Sequence, residues 1–137
     1  MIFVDTNYFL RFLLDEQGRQ HQEAVKLFRR GASGKIELFT SVVVIFEIYW
    51  VLYSFYGKEK RVVKEILGDI LNMDFIKLEE RVVLTRALDY LEELGYDLED
   101  AYNLTLALGK EIQDFRTFDK KLEKKFKTER PKLKPRT

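Results

Sequence analysis

MIFVDTN occupies residues 1–7, and the fold turns on how it is read. Three apolar residues, Ile2, Phe3 and Val4, run straight into Asp5-Thr6-Asn7. A short apolar run that stops at an Asp/Asn cluster fits a buried central strand whose end feeds the N-cap of a helix. Helical periodicity follows over residues 8–14 and again over 21–30, where Ala24, Leu27 and Phe28 share one face. Gly31 and Gly34 close that second stretch, and residues 36–39 make another short strand.

The alternation continues along the chain. Thr40-Ser41 precedes a long apolar helix, 42–56, closed by Gly57. An amphipathic helix over 58–71 points Val62, Val63, Ile66, Leu67 and Ile70 inward, and 74–78 reads as a third strand. Helices over 79–94 and 98–108 each have a glycine just beyond, Gly95 and Gly109. Residues 112–118 form a weaker fourth strand, and a last helix starts at Asp119. Strands alternating with helices predict a parallel sheet covered on both faces, a three-layer α/β/α sandwich with a short central sheet. In such sheets the binding crevice lies outside the carboxyl ends of the strands.

Composition narrows the chemistry. The 137 residues make one domain, 46% apolar and 34% charged, with both prolines in the last seven positions. We expect a domain over residues 1–126 and a basic tail over 127–137. No cysteine is present, which excludes disulfides, thiolate zinc sites and cysteine nucleophiles, and fits a reducing cytoplasm. One histidine, His21, excludes a multi-histidine metal site. No apolar run has the length of a membrane helix. From Lys120 onward nine Lys/Arg stand against two Glu, so this end carries +7 and the preceding residues −6 of the net +1. A basic end on an acidic body is either a solvated terminus or a phosphate-contacting arm.

Four carboxylates then stand out. Asp5 ends the first strand and Asp119 follows the fourth; taken alone, each is an ordinary helix N-cap. Glu47 is the only charge in TSVVVIFEIYWVL, residues 40–52, and its helical neighbours Val43, Val44, Trp50 and Val51 are all apolar. An unpaired carboxylate on such a face must reach solvent, find a cation or be neutralised. Asp100 falls three residues after Asp97, the expected N-cap of its helix, where a capping box is the plain structural reading; Asn103 lies on its face. If the four meet at one edge of the sheet, their repulsion calls for a divalent cation. Mg²⁺ or Mn²⁺ is the hard, oxygen-seeking choice and suits phosphodiester hydrolysis.

The ordered set IFVDTN, SVVVIFEIYWVL, LEDAYNLTLAL and FRTFDKKL resembles the PIN-domain nucleases over about residues 2–126, and within them the VapC-type toxins of prokaryotic toxin–antitoxin pairs. The resemblance implies a metal site of Asp5, Glu47, Asp100 and Asp119, with Asp5 and Asp100 as the most direct ligands. Asn7 and Thr117 match polar positions beside the first and fourth carboxylates, and Thr117 would orient a metal-bound water. It also implies Mg²⁺- or Mn²⁺-dependent endonucleolytic cleavage of RNA, with a second copy of the chain and a small antitoxin as partners. Gln113 and Asp114 depart from the pattern, since the fourth strand of such proteins is more apolar.

Competing readings fare worse. A haloacid-dehalogenase-like phosphatase needs an aspartate where Asn7 stands, and a response-regulator receiver needs one where the third strand ends in Lys77-Leu78. His21, among Gln20, Gln22 and Glu23, reads as an exposed helix surface. Phe46, Tyr49, Trp50, Tyr53, Phe55 and Tyr56 read as core and dimer surface. A PIN-like module that binds RNA or protein without cutting, and a housekeeping processing nuclease, stay open as alternatives.

Overall fold

The computed structural model describes residues 1–14, 18–93 and 95–130. The chain divides into two compact units, Met1–Arg81 and Val82–Thr137.

The first unit carries a three-stranded parallel sheet in the order β1 (Ile2–Phe3), β2 (Leu38–Phe39), β3 (Ile76–Lys77). Ile2 stands opposite Leu38, and Leu38 opposite Ile76. The ladder is short, and bonds just past it lock the carboxyl edge. Val4 N–H donates to Phe39 O at 2.7 Å, Thr40 N–H to Lys77 O at 3.0 Å, and the buried Thr40 hydroxyl to Val4 O at 2.9 Å.

Between β1 and β2 lie α1 (Thr6–Leu14) and α2 (Arg19–Ala32). They pack through aromatic rings: Phe28 meets Phe9 with centroids 5.4 Å apart and Phe12 edge-on at 4.9 Å. Gly31 does not end α2, as the sequence predicts, but lies inside it. A Cβ there would approach Leu38 Cδ1 to 2.5 Å, so the glycine lets the helix press against β2. Gly34, at φ +80°, makes the turn instead.

Ser41 caps α3 (Val42–Trp50), its hydroxyl accepting from Val44 N–H at 3.3 Å. The predicted helix continues not as α-helix but as a π-helical turn, Val51–Phe55, before Gly57 at φ +64° reverses the chain. The apolar stretch buries Val44, Ile45, Ile48, Tyr49 and Leu52. α4 (Lys60–Leu71) buries Val63, Leu67, Ile70 and Leu71, so of the five residues predicted inward Val62 and Ile66 are less buried. The Arg81 guanidinium donates to the carbonyls of Leu71 and Ile76, satisfying the end of α4 and the start of β3.

The second unit is helical: α5 (Arg81–Leu91, its first residue closing the first unit), α6 (Leu98–Gly109) and α7 (Lys120–Glu129). Tyr96, Leu104, Leu108, Leu122 and Phe126 form its core, with Tyr90, Ala107 and Phe115 against them. The predicted fourth strand is absent among the described residues: 112–118 is irregular. Apolar residues do not alternate there, Gln113 and Asp114 being exposed, and only Phe115 turns inward, its ring 5.3 Å from that of Phe126. Gly109 is the last residue of α6, and Glu111 takes the left-handed conformation at φ +56°. Ile112 N–H then reaches back to Ala107 O at 3.2 Å. α7 extends past the expected boundary at Phe126 to Glu129; residues 131–137 of the expected tail lie outside the described residues.

Candidate active site

In the first unit one residue joins two of the four carboxylates. Thr6 opens α1 just past the end of β1, with its side chain buried. Its N–H donates to Asp5 Oδ1 at 2.7 Å, and its hydroxyl donates to Glu47 Oε1 on α3. Residues 41 apart in sequence are thereby tied at the carboxyl edge of the sheet. Asp5 and Glu47 are both exposed. The apolar face of α3 therefore does not bury Glu47; its carboxylate reaches solvent, with Thr6 as its partner. No arginine or lysine among the described residues pairs with either acid.

Thr6 is the residue sequence reasoning passes over. Asp5 and Asn7 draw attention in DTN, whereas the hydroxyl between them does the joining. Its partner lies on another helix, and local spacing carries no sign of that. Asn7 is exposed and takes no part in the contact.

In the second unit Asp100 stands third in α6 after the N-cap Asp97. The Asp97 side chain makes no capping bond, and Asp100 instead reaches back to accept from the Asp97 backbone N–H. Burial pushes the Asp100 carboxyl above its ordinary range, and the charges of Asp97, Asp119 and Glu99 push it further, against that one hydrogen bond. Asp100 and Asp119 are therefore near enough to repel one another as like charges. Asn103 is exposed, with no hydrogen bond to Asp100 among the described residues.

Asp119 is exposed and caps α7, Oδ1 accepting from Lys121 N–H at 3.0 Å and Leu122 N–H at 3.1 Å. Thr117 Oγ1 accepts from Asp119 N–H at 3.1 Å, fixing the turn before the helix. Both capping bonds fall on one oxygen, which leaves Oδ2 outside the cap. Tyr96 belongs to this neighbourhood and was missed from the sequence. Its phenol donates to Lys121 O at 3.3 Å, and burial, then the Asp119 charge, pushes its pKa up.

Among the described residues, no three Asp, Glu or His groups within either unit already form a metal-holding cluster. The donors present are nonetheless of the right kind. All are carboxylate oxygens, and at Asp100 neighbouring acids add to burial in raising the proton affinity, a repulsion that a cation would relieve. No helix among the described residues is long and apolar enough to cross a membrane.

Comparison with known families gives one match: the PIN domain family model covers residues 2–127. No curated protein and no solved structure matches the chain. With nearly its whole length inside that match, a parallel sheet of β/α connectivity and an acid at the end of its first strand, the chain belongs to the PIN domain family, whose members are generally nucleases.

Proposed function

We propose that this protein is a metal-dependent endoribonuclease of the VapC type, with Asp5, Glu47, Asp100 and Asp119 as its acidic site. The observation that carries the proposal is the grip of Thr6 on both Asp5 and Glu47. Two exposed carboxylates, with no basic partner among the described residues, are each bonded to Thr6, one by its amide and one by its buried hydroxyl, at the sheet edge where α/β proteins bind ligands. Carboxylate oxygens so placed are the donors a hard cation takes.

Asp5 and Asp100 would hold Mg²⁺ or Mn²⁺ directly, with Glu47 and Asp119 completing the donors. Bound there, the ion supplies Lewis-acid stabilisation of phosphate charge and a water of lowered pKa. The chain's own residues do the positioning. Thr6 fixes the facing of Asp5 and Glu47, the Asp97 amide fixes Asp100, and the amides of α7 fix Asp119. Thr117, committed as acceptor to Asp119 N–H, keeps its hydroxyl proton for a water or a phosphate oxygen.

A second copy of the chain and a small antitoxin are the proposed partners. Exposed Val43, Trp50, Phe55 and Tyr56 along α3 and its π-turn support a self-association surface, and Tyr49 goes to the core. Residues 127–137 are proposed as the basic tail of a domain over 1–126, in the cytoplasm.

The test incubates the full chain with single-stranded RNA and Mg²⁺ or Mn²⁺. Cleavage is expected, abolished by chelator and reduced at least a hundredfold by Asp5→Asn or Asp100→Asn, the scale of losing a major electrostatic contributor. Cleavage that both variants retain overturns the site, and tight RNA binding with no cleavage in either metal makes the protein a binding module.

A further inference from the structure

A basic surface lies on α2, apart from Asp5 and Glu47. Lys26, Arg29 and Arg30 are spaced i, i+3, i+4, so they project from one side of the helix about one turn apart, on the order of 5 Å along its axis. All three are exposed, and no carboxylate among the described residues pairs with them. Beside them runs an open trough of about 730 Å³, floored by Phe12, Val25, Met73 and Phe75 and bordered by Arg29 and His21. A second hollow of about 380 Å³ shares His21, Val25 and Arg29 with it and continues along Lys26 and Arg30.

The trough is built rather than incidental. His21 Nδ1–H donates to Arg11 O at 3.0 Å, a carbonyl in the last turn of α1, which fixes the ring in place. That ring then lies nearly parallel to Phe12, at 18° with centroids 6.2 Å apart. Three cations with no acidic partner among the described residues, alongside half-buried aromatic faces, form a surface that attracts anions and also offers flat apolar area.

We propose that this surface binds single-stranded RNA flanking the cleavage point, its phosphates on Lys26, Arg29 and Arg30 and an unpaired base against Phe12, Met73 or Phe75. Charge complementarity selects a polyanion, and the adjoining trough selects one with exposed planar groups, which a single strand has and a duplex hides. The surface is a flank site by topology. Met73 and Phe75 lead into β3, whereas Asp5 follows the end of β1, and parallel strands put those points at opposite edges of the sheet. The proposal rests on the nuclease reading for its choice of polyanion.

The test measures binding of a labelled short single-stranded RNA to the full chain in chelator, where no cleavage occurs, across a salt series. The variants are the triple Lys26→Gln/Arg29→Gln/Arg30→Gln, and Ala32→Glu, which sets a carboxylate on the trough wall. All four positions are exposed, and circular dichroism checks that the variants fold. The triple is expected to lose roughly tenfold or more in affinity, and its log–log salt slope to fall by about two, as for three lost phosphate contacts on a single strand. Ala32→Glu weakens binding as well. An unchanged slope and affinity in the triple overturns the inference, even if the parent cleaves RNA. An acidic glutamate–phenylalanine peptide that binds the parent in a triple-sensitive way, while RNA binding ignores the triple, overturns it in favour of a protein partner. Triple-sensitive RNA binding by a parent that cleaves nothing in Mg²⁺ or Mn²⁺ upholds the inference and rejects the nuclease reading.

Discussion

Thr6 holds two acids by two different groups, its amide on Asp5 and its hydroxyl on Glu47. Replacing it by valine keeps the volume and the β-branch but removes the donor to Glu47, leaving that carboxylate to solvent. Thr6→Val is expected to lower Mn²⁺ affinity by about 10- to 100-fold, the usual cost of deleting a group that orients a ligand, while Thr6→Ser restores most of it. Calorimetric titration of the three proteins checks this, and equal affinities would make Thr6 a packing residue only. Asp100 makes a prediction about stability. Its carboxyl is pushed above the ordinary value of 3.8 by burial first and by neighbouring acids second. A group that binds its proton more tightly folded than unfolded favours folding at low pH, and that contribution is lost as pH rises through the raised folded value. Asp100→Asn should therefore melt higher than the parent at neutral pH, with the gap closing as pH falls toward about 4. Added Mg²⁺ should then raise the parent's melting temperature and leave the variant's unchanged. Equal melting at neutral pH would remove the electrostatic account of Asp100.

At the scale of elements, Asp119 caps α7 and is proposed as part of the acidic site, two roles that substitution can separate. Asp119→Ala removes both capping bonds to α7 and should cost about 1 kcal/mol, read by chemical denaturation, together with any metal role. Asp119→Asn keeps a capping oxygen but not the charge, so it should hold stability and lose activity. If Asn restores both, the residue is a cap and nothing more. These elements also mark how far sequence carries. The positions of β1, β2 and β3, the cap at Ser41, and the placement of Asp97 and Asp100 at the start of α6 all follow from local patterns, since apolar runs and capping residues act over a few positions. But β1 is an exposed edge strand and not the buried central one its apolar run predicts. Gly31 and 112–118 escaped for different reasons. Gly31 answers to Leu38 across space, not to a helix end, and the irregular segment has one inward aromatic where a strand needs an alternating face. The Thr6–Glu47 bond escaped for the first reason, a partner 41 residues away.

For the whole molecule, the proposed RNA substrate would meet an acidic body and a basic end. Truncation should be made after Arg130, because α7 runs to Glu129 and a cut at Phe126 would remove a helical turn along with the charge. Of the nine cations from Lys120 onward, six are thereby kept and three lost, Lys132, Lys134 and Arg136. If they touch phosphate, the RNA salt slope in chelator falls by about two, and an unchanged slope assigns them to the solvent.

Lys125 holds α7 by a means that has an outcome of its own. Its ammonium lies between Glu93 at 2.8 Å and Glu129 at 3.0 Å and above the Tyr90 ring at 5.5 Å, and the two carboxylates raise its proton affinity above the ordinary lysine value. The neutral amine is the form that attacks acylating reagents, and here it is scarce and shielded together. In a chain rich in lysines, mass-spectrometric footprinting with an N-hydroxysuccinimide ester should thus tag Lys125 late, and only once α7 has come loose.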